Sequence, residues 1–192
     1  NEAYTGEVRF DAPVTSLLEL TGALTIECLC AYHPNVSKNY HICGYFGISG
    51  EGANLNSLYE IGYICNTTGP SYFEYSHKQG GTFRRFQTND AGGLSMAGHG
   101  HLFHVVCVRT SATTISFYVN SNLVASGSVS GAASNYEDGR FRVGGVAYTG
   151  TGYSYPTGVT SNLKVIGRAL SAEEIADEYD RLLGRAFPRV SP

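Results

Sequence analysis

Along most of this chain apolar residues come in short runs with a period of two, each closed by Gly, Pro, Asn or Ser, and a helical period appears only near the C-terminus. The clearest stretch is Gly98 to Gly131, GHGHLFHVVCVRTSATTISFYVNSNLVASGSVSG. Val105 to Val108 is a continuous apolar run, the pattern of a strand buried on both faces. Beyond the Thr110-Ser111-Ala112-Thr113 break, Ile115, Phe117 and Val119 alternate with Ser116, Tyr118 and Asn120, which predicts a half-buried strand. The Asn120-Ser121-Asn122 cluster turns the chain because Asn tolerates positive φ, and Leu123-Val124-Ala125 returns beside it. The centre of the chain is therefore an antiparallel meander.

The same reading predicts an edge strand at Glu7 to Phe10, a connection at Pro13 to Ser16, and strands at Leu24 to Tyr32, Ile42 to Ile48, Leu58 to Ile64, Tyr72 to His77 and Phe83 to Gln87, the last two flanking Gly80-Gly81. One helix is expected, over about 171–183. Ser171 and Glu174 form a capping box, Leu170 and Ile175 have the spacing of a hydrophobic staple, and Ile175, Tyr179, Leu182 and Leu183 make one apolar stripe. Gly184 is placed to stop it, leaving 184–192 as a tail.

HLFHVVCVRTSATTISFYVNSNLVASG resembles the signature hairpin of the laminin-G-like, concanavalin-A-like jelly rolls, in which an aromatic-His pair opens one strand and a Tyr-Val-Asn turn closes the next. VRFDAP resembles that family's first strand, LTIECLC its second, and LKVIGRALSAEEI its closing strand and helix. The resemblance spans nearly the whole chain and implies one all-β domain over residues 1–192, a two-sheet antiparallel jelly-roll sandwich with a short C-terminal α-helix. Leu29 stands where members often place Trp in the second strand, Phe103 stands at the aromatic before His104, and both keep apolar bulk. GRAFPRVSP is similar to the short tail that follows the same helix in laminin-G-like domains of tailed bacteriophages, which implies a virion component serving adhesion or capsid decoration.

A chain of 192 residues suits one such sandwich. Its net charge of −3 with scattered signs offers no basic stripe for nucleic acid, and no apolar run reaches the ~20 residues of a membrane span. Asn1 opens no basic-then-apolar signal segment. Five cysteines exclude a complete disulfide framework, and Cys28, Cys30 and Cys107 fall at core positions, so the chain is expected to fold in a reducing cytoplasm before reaching a virion or other outer surface. Asn35-Val36-Ser37 and Asn66-Thr67-Thr68 fit the N-glycosylation pattern, which chance also produces in so Ser- and Thr-rich a chain.

The candidate chemistry is that of binding. Polysaccharide-cleaving jelly rolls set carboxylates at alternate positions of one strand, and this chain has no Glu-x-Asp-x-Glu; Glu137 and Asp138 are adjacent in a predicted loop. No enzyme activity is expected. His99, His101 and His104 lack a neighbouring acidic or thiol ligand, and the resemblance makes His104 structural, so neither metal nor cofactor is expected. A Ca²⁺ ion held by Asn89, Asp90, Glu137 and Asp138 is the weaker alternative, since the loop that carries the ion in pentraxin-like relatives reads VAYTGTGYSYP here, without a carboxylate, and Asn162 replaces a common Asp. That loop offers Tyr148, Tyr153 and Tyr155 with Thr151, rings to stack on sugars and hydroxyls to hydrogen-bond them. Tyr rings are also core material in a chain with 14 of them. A second candidate is the Tyr72 to Phe86 hairpin, whose Tyr75, His77, Arg84 and Arg85 would meet an acidic partner. The expected function is a lectin-like, non-catalytic module that contacts glycan through rim loops. The alternative is a decoration or assembly protein, in some cases homo-oligomeric, whose loops contact protein.

Overall fold

The computed structural model describes residues 9–12, 20–32, 38–47, 57–65, 72–79, 82–88, 102–131, 139–144, 146–148, 152–154 and 158–186. They form β1 (Arg9–Ala12), β2 (Leu24–Tyr32), β3 (Lys38–Gly47), β4 (Ser57–Cys65), β5 (Tyr72–Gln79), β6 (Thr82–Gln87), β7 (Phe103–Arg109), β8 (Thr114–Val119), β9 (Asn122–Ser128), β10 (Gly139–Gly144), β11 (Val146–Tyr148), β12 (Gly152–Ser154), β13 (Gly158–Ile166) and α1 (Ala172–Ala186). One sheet has six strands in the order β1-β10-β3-β4-β5-β6, and a second has five in the order β13-β2-β7-β8-β9. β11 and β12 make a separate ribbon. All pairings are antiparallel, so the described residues form the expected two-sheet sandwich with its C-terminal helix.

The period of two places the core. In the six-stranded sheet Val143, Cys43, Ile61, Tyr75 and Phe86 pair across successive strands and share its inner face. They meet Leu24, Ile26, Cys28, Cys30, Val105, Cys107, Ile115, Phe117 and Val119 of the other sheet. Phe117 lies between two near-parallel rings, Phe73 at 6.0 Å and Phe86 at 6.3 Å between centroids. This close approach explains Gly127, where a Cβ would overlap the Phe86 ring. Val106 and Val108, on the other face of β7, meet Ile175 of the helix.

Local chemistry explains the ends of these elements. Asn120 and Ser121 adopt φ of 50° and 64°, the left-handed pair a tight hairpin requires, and the Asn120 side chain accepts the His104 N–H at 3.0 Å. In β13 Asn162, with φ 49°, sits at an irregularity between the pairs Ser161–Leu29 and Lys164–Glu27. The extra residue turns Leu163 towards the core and puts Lys164 opposite Glu27. At the helix start Glu174 N–H donates to Ser171 Oγ at 3.2 Å and Ser171 N–H to Glu174 Oε2 at 2.9 Å, which is the capping box read from the sequence. Leu170 packs on the cluster that contains Ile175, completing the staple.

Several boundaries differ from the sequence reading, among them β1, which runs Arg9–Ala12 rather than Glu7 to Phe10, and three have a clear physical reason or bearing on the site. α1 continues past Gly184 to Ala186, because a glycine within a helix costs only about 1 kcal/mol and does not by itself end it. β3 begins at Lys38 rather than Ile42, since pairing with Gly62 to Cys65 supplies hydrogen bonds that residues 38–41 do not advertise. The stretch expected to be a rim loop contains the β11–β12 ribbon.

Candidate functional site on the six-stranded sheet

The helix covers part of the outer face of the five-stranded sheet. There Glu27, His104, Lys164 and Glu178 form a buried-to-surface chain. His104 Nε2–H donates to Glu27 Oε1 at 3.0 Å, its ring stacks on Tyr179 at 5.7 Å, and Lys164 reaches both Glu27 oxygens at 3.4 Å and also Glu178. This arrangement fastens α1 to β2, β7 and β13 and fits the structural role expected of His104.

The corresponding face of the six-stranded sheet carries no described helix, and the register gathers polar and aromatic side chains on it. Gly44, Glu60, Ser76 and Arg85 lie in one row across β3 to β6, and Gly62, Glu74 and Gln87 in the next. Gly44 and Gly62 add no side chains to this face, and both are buried. Ser76 Oγ–H donates to Glu60 Oε2 at 3.3 Å, both groups being buried. Gln87 Nε2–H donates to Glu74 Oε2 at 2.7 Å and to the Tyr72 hydroxyl at 3.4 Å. Arg85 stands 3.7 Å from Glu74 Oε1 with its guanidinium 5.1 Å from the centre of the Phe83 ring. Exposure rises outwards, from buried Glu60 through Glu74, 14% exposed, to Arg85 at 51% on the edge strand.

Tyr72, Glu74, Phe83, Arg85 and Gln87 thus make one surface of two rings, a carboxylate, an amide and a guanidinium, already held in position by one another. That set can hydrogen-bond hydroxyls and stack on an apolar ring face. Sequence reasoning named the Tyr72 to Phe86 hairpin and Arg85 but not this set, because only the β5–β6 register puts Glu74 opposite Gln87 and Ser76 opposite Arg85 on one face; the alternation of Tyr72, Glu74 and Ser76 was its one local signal.

The second candidate of the sequence reading is corrected. Tyr75 and His77 are fully buried between the sheets, since they share the parity of Phe73 and the β5 alternation turns them inward. Arg84 pairs with His77 on that inner face, so of the four only Arg85 is offered to a partner. In the ribbon Tyr148 pairs with Gly152 and Tyr153 with Ala147, neighbouring register positions rather than facing ones. Thr151 and Tyr155 lie outside the described residues, as do Asn89, Asp90, Glu137, Asp138, His99, His101, Asn35 and Asn66. Among the described residues no group of three or more His, Cys, Asp or Glu is arranged to hold a metal ion, and no helix is long and apolar enough to cross a membrane.

Residues 6–176 match the family described as the concanavalin A-like lectin/glucanases superfamily, and the chain belongs to it. No curated protein matches the chain. Solved structures with the same fold include the botulinum neurotoxin serotype D binding domain, at a TM-score of 0.66 and 11% identity over 93% of this chain and 42% of that one. Another concerns botulinum neurotoxin type C, whose cell entry depends on interaction with two ganglioside molecules, at 0.61 and 14% over 91% and 40%. A third is the binding domain of botulinum neurotoxin DC in complex with SialylT, at 0.62 and 13% over 91% and 39%. The chain spans about two fifths of the length of these structures.

Proposed function

We propose that the chain is a non-catalytic, lectin-like module that binds carbohydrate. The observation that carries this reading is the ordered surface of Tyr72, Glu74, Phe83, Arg85 and Gln87 on the outer face of the six-stranded sheet. Lectins are among the members of the superfamily, and two of the structurally similar toxins are named for gangliosides or for SialylT. The stretch Val146 to Pro156, with Tyr148, Thr151, Tyr153 and Tyr155, is the second contact. A glycan-hydrolysing reading is disfavoured because both Glu74 oxygens are engaged, by Gln87 and Arg85, whereas a general acid must hold a proton beside an unobstructed sugar.

The test is a glycan array followed by titration of the hits against variants. Tyr72→Ala and the double variant Tyr153→Ala, Tyr155→Ala should each weaken binding, each stacked ring contributing about 1 kcal/mol, with melting temperature nearly unchanged. Binding should survive chelator, and no reducing ends should be released from the glycan. If no glycan binds while the tyrosine variants stay folded and lose association with other copies or with particle proteins, the chain is a decoration or assembly subunit of a virion.

A further inference from the structure

From Thr110 to Tyr136 the sequence has no Asp, Glu, Lys, Arg or His, although charged residues make up 15% of the chain. The register divides the hairpin within this stretch into two faces. Ile115, Phe117 and Val119 go to the core, while Thr114 opposite Ser128, Ser116 opposite Ser126 and Tyr118 opposite Leu123 lie on the outer face of the five-stranded sheet. There α1 covers β7 through Val106 and Val108, and of β8 it gathers only Tyr118. Beyond Tyr118 the face is bare. The exposed Ser116 and Ser126 hydroxyls share a hydrogen bond at 2.9 Å, and Leu123 is 56% exposed. Leu102, 45% exposed, precedes β7 in the parity of His104 and Val106, and His104 bonds Asn120 of the hairpin turn. Among the described residues these two leucines are the large apolar side chains left exposed, and both stand on one face at the turn end of the hairpin. Interface centres are depleted of charge and hold apolar side chains, whereas free surfaces carry both signs.

The surroundings decide the occupant. Glu173, Asp177 and Asp180, exposed on the neighbouring helix, repel an anionic bilayer. Addition of a strand to β9 is hindered by Val124, an extra residue between the pairs Phe117–Ala125 and Tyr118–Leu123, because a bulge breaks the row of N–H and C=O groups that a further strand needs. What remains is a step, a helix on β7 beside two bare strands. Facing sheets pack about 10 Å apart and a helix is about 10 Å across, so a second sheet fills a step of this height.

We propose that the outer face of β8 and β9 is a self-association surface, on which a second copy of this chain docks about a two-fold axis running along the strands. Such an axis lays the bare strands of each copy on those of the other, sets each β9 edge against the flank of the other copy's helix, and brings Leu123 to Leu123. The absence of charge lets this face meet itself. An axis through β6 opposes Arg84 and Arg85 to their own copies, and one across α1 opposes its carboxylates. The contact rests on few side chains beside the roughly 20–30 residues a side of a stable interface, so the pair is weak and forms only at high concentration. The inference stands apart from the glycan reading, since back-to-back copies leave both six-stranded sheets outward.

The experiment is sedimentation velocity of the whole chain between about 5 and about 500 µM. Wild type should show a monomer–dimer equilibrium with a dissociation constant of about 10–100 µM. That constant should be the same at about 50 and about 500 mM salt, because the contact holds no charge. Leu123→Lys and Leu123→Glu each set like charges at the axis and should each weaken the dimer at least about tenfold. An equimolar mixture of the two should restore it, because across a two-fold the substituted positions meet. A wild type that is monomeric throughout overturns the proposal, as does a dimer that both variants retain, one that the mixture fails to restore, or one that salt dissolves. A monomer that instead sediments with phosphatidylcholine vesicles assigns the face to lipid and overturns it too. Leu123 is exposed, so both variants should keep the wild-type melting temperature. Should either fail to fold, Leu123→Ser takes its place, and a dimer that Leu123→Ser leaves intact overturns the proposal.

Discussion

Glu27 shows how much one buried carboxylate is asked to do. It lies on the outer face of β2, buried, with His104 and Lys164 both donating to it. The two donors are not equivalent: His104 is buried with it, whereas the Lys164 side chain is 36% exposed and water can replace its partner. Glu27→Ala should therefore destabilise the chain by about 2–4 kcal/mol, chiefly through the stranded His104 ring, while Lys164→Met should cost under about 1 kcal/mol. Urea unfolding midpoints for the two variants make the comparison, and equal losses would mean that the ion pair rather than the histidine bond dominates. Glu27 reads in the sequence only as a polar residue in an alternating strand. Its burial depends on a helix almost 150 positions away, which no local pattern announces.

The helix is the element whose origin is most local and whose docking is least so. Its start is set by Ser171 and Glu174, and Ser171→Ala should cost about 1 kcal/mol, read as a lower urea midpoint with an unchanged slope. Its attachment is electrostatic as well as apolar. Arg181 donates to Glu178, with Nε at 2.6 Å, and Lys164 also reaches it; these bonds hold the Glu178 carboxyl down at about 2, partly against desolvation. A carboxyl whose folded value lies below its ordinary value near 4.5 stabilises the fold above that value and ceases to do so as pH falls towards about 2. Acid titration of stability should thus lose a contribution between about pH 4.5 and about pH 2 that Glu178→Gln lacks, reduced by screening because the pair is partly solvated. Overlapping acid limbs for the two proteins would show that Glu178 does not help fasten the helix.

At the scale of the whole molecule, two sheets of five and six strands leave one outer face partly covered by α1 and the other lined by polar and aromatic groups. Cys28, Cys30, Cys43 and Cys107 lie in the middle of the sandwich as buried, unbridged thiols. The Cys28 thiol is pushed up by its hydrogen bond with Cys30 and by burial, and Cys43 and Cys107 are pushed up chiefly by burial, so thiolate chemistry is suppressed at all three. Iodoacetamide should leave these four unlabelled in the native protein and label all of them after unfolding in denaturant, as read by peptide mass spectrometry. Labelling of Cys107 in the native state would mean that the sheets separate far more readily than so closed a core allows.

Element type and core face were legible in the sequence because both follow from side-chain periodicity, which is local. Leu24 to Tyr32 appears with its expected bounds, the core face of Ile115, Phe117 and Val119 follows from alternation, and the Asn120-Ser121 turn follows from the tolerance of these residues for positive φ. The capping box is equally local, a matter of four residues. Register is not local. Which residue of β5 stands opposite Glu60, whether Lys164 or Leu163 faces Glu27, and that Tyr75 and His77 turn inward beside Arg109 were decided only when strands distant in sequence paired and the two sheets closed. A shift of one position exchanges the two faces of a strand, and the free energy that selects the register comes from burial summed over both sheets. The surface of Tyr72, Glu74, Arg85 and Gln87 is a product of that choice, which is why the tyrosine-rich stretch from Val146 to Pro156 was visible in the sequence and this grouping was not.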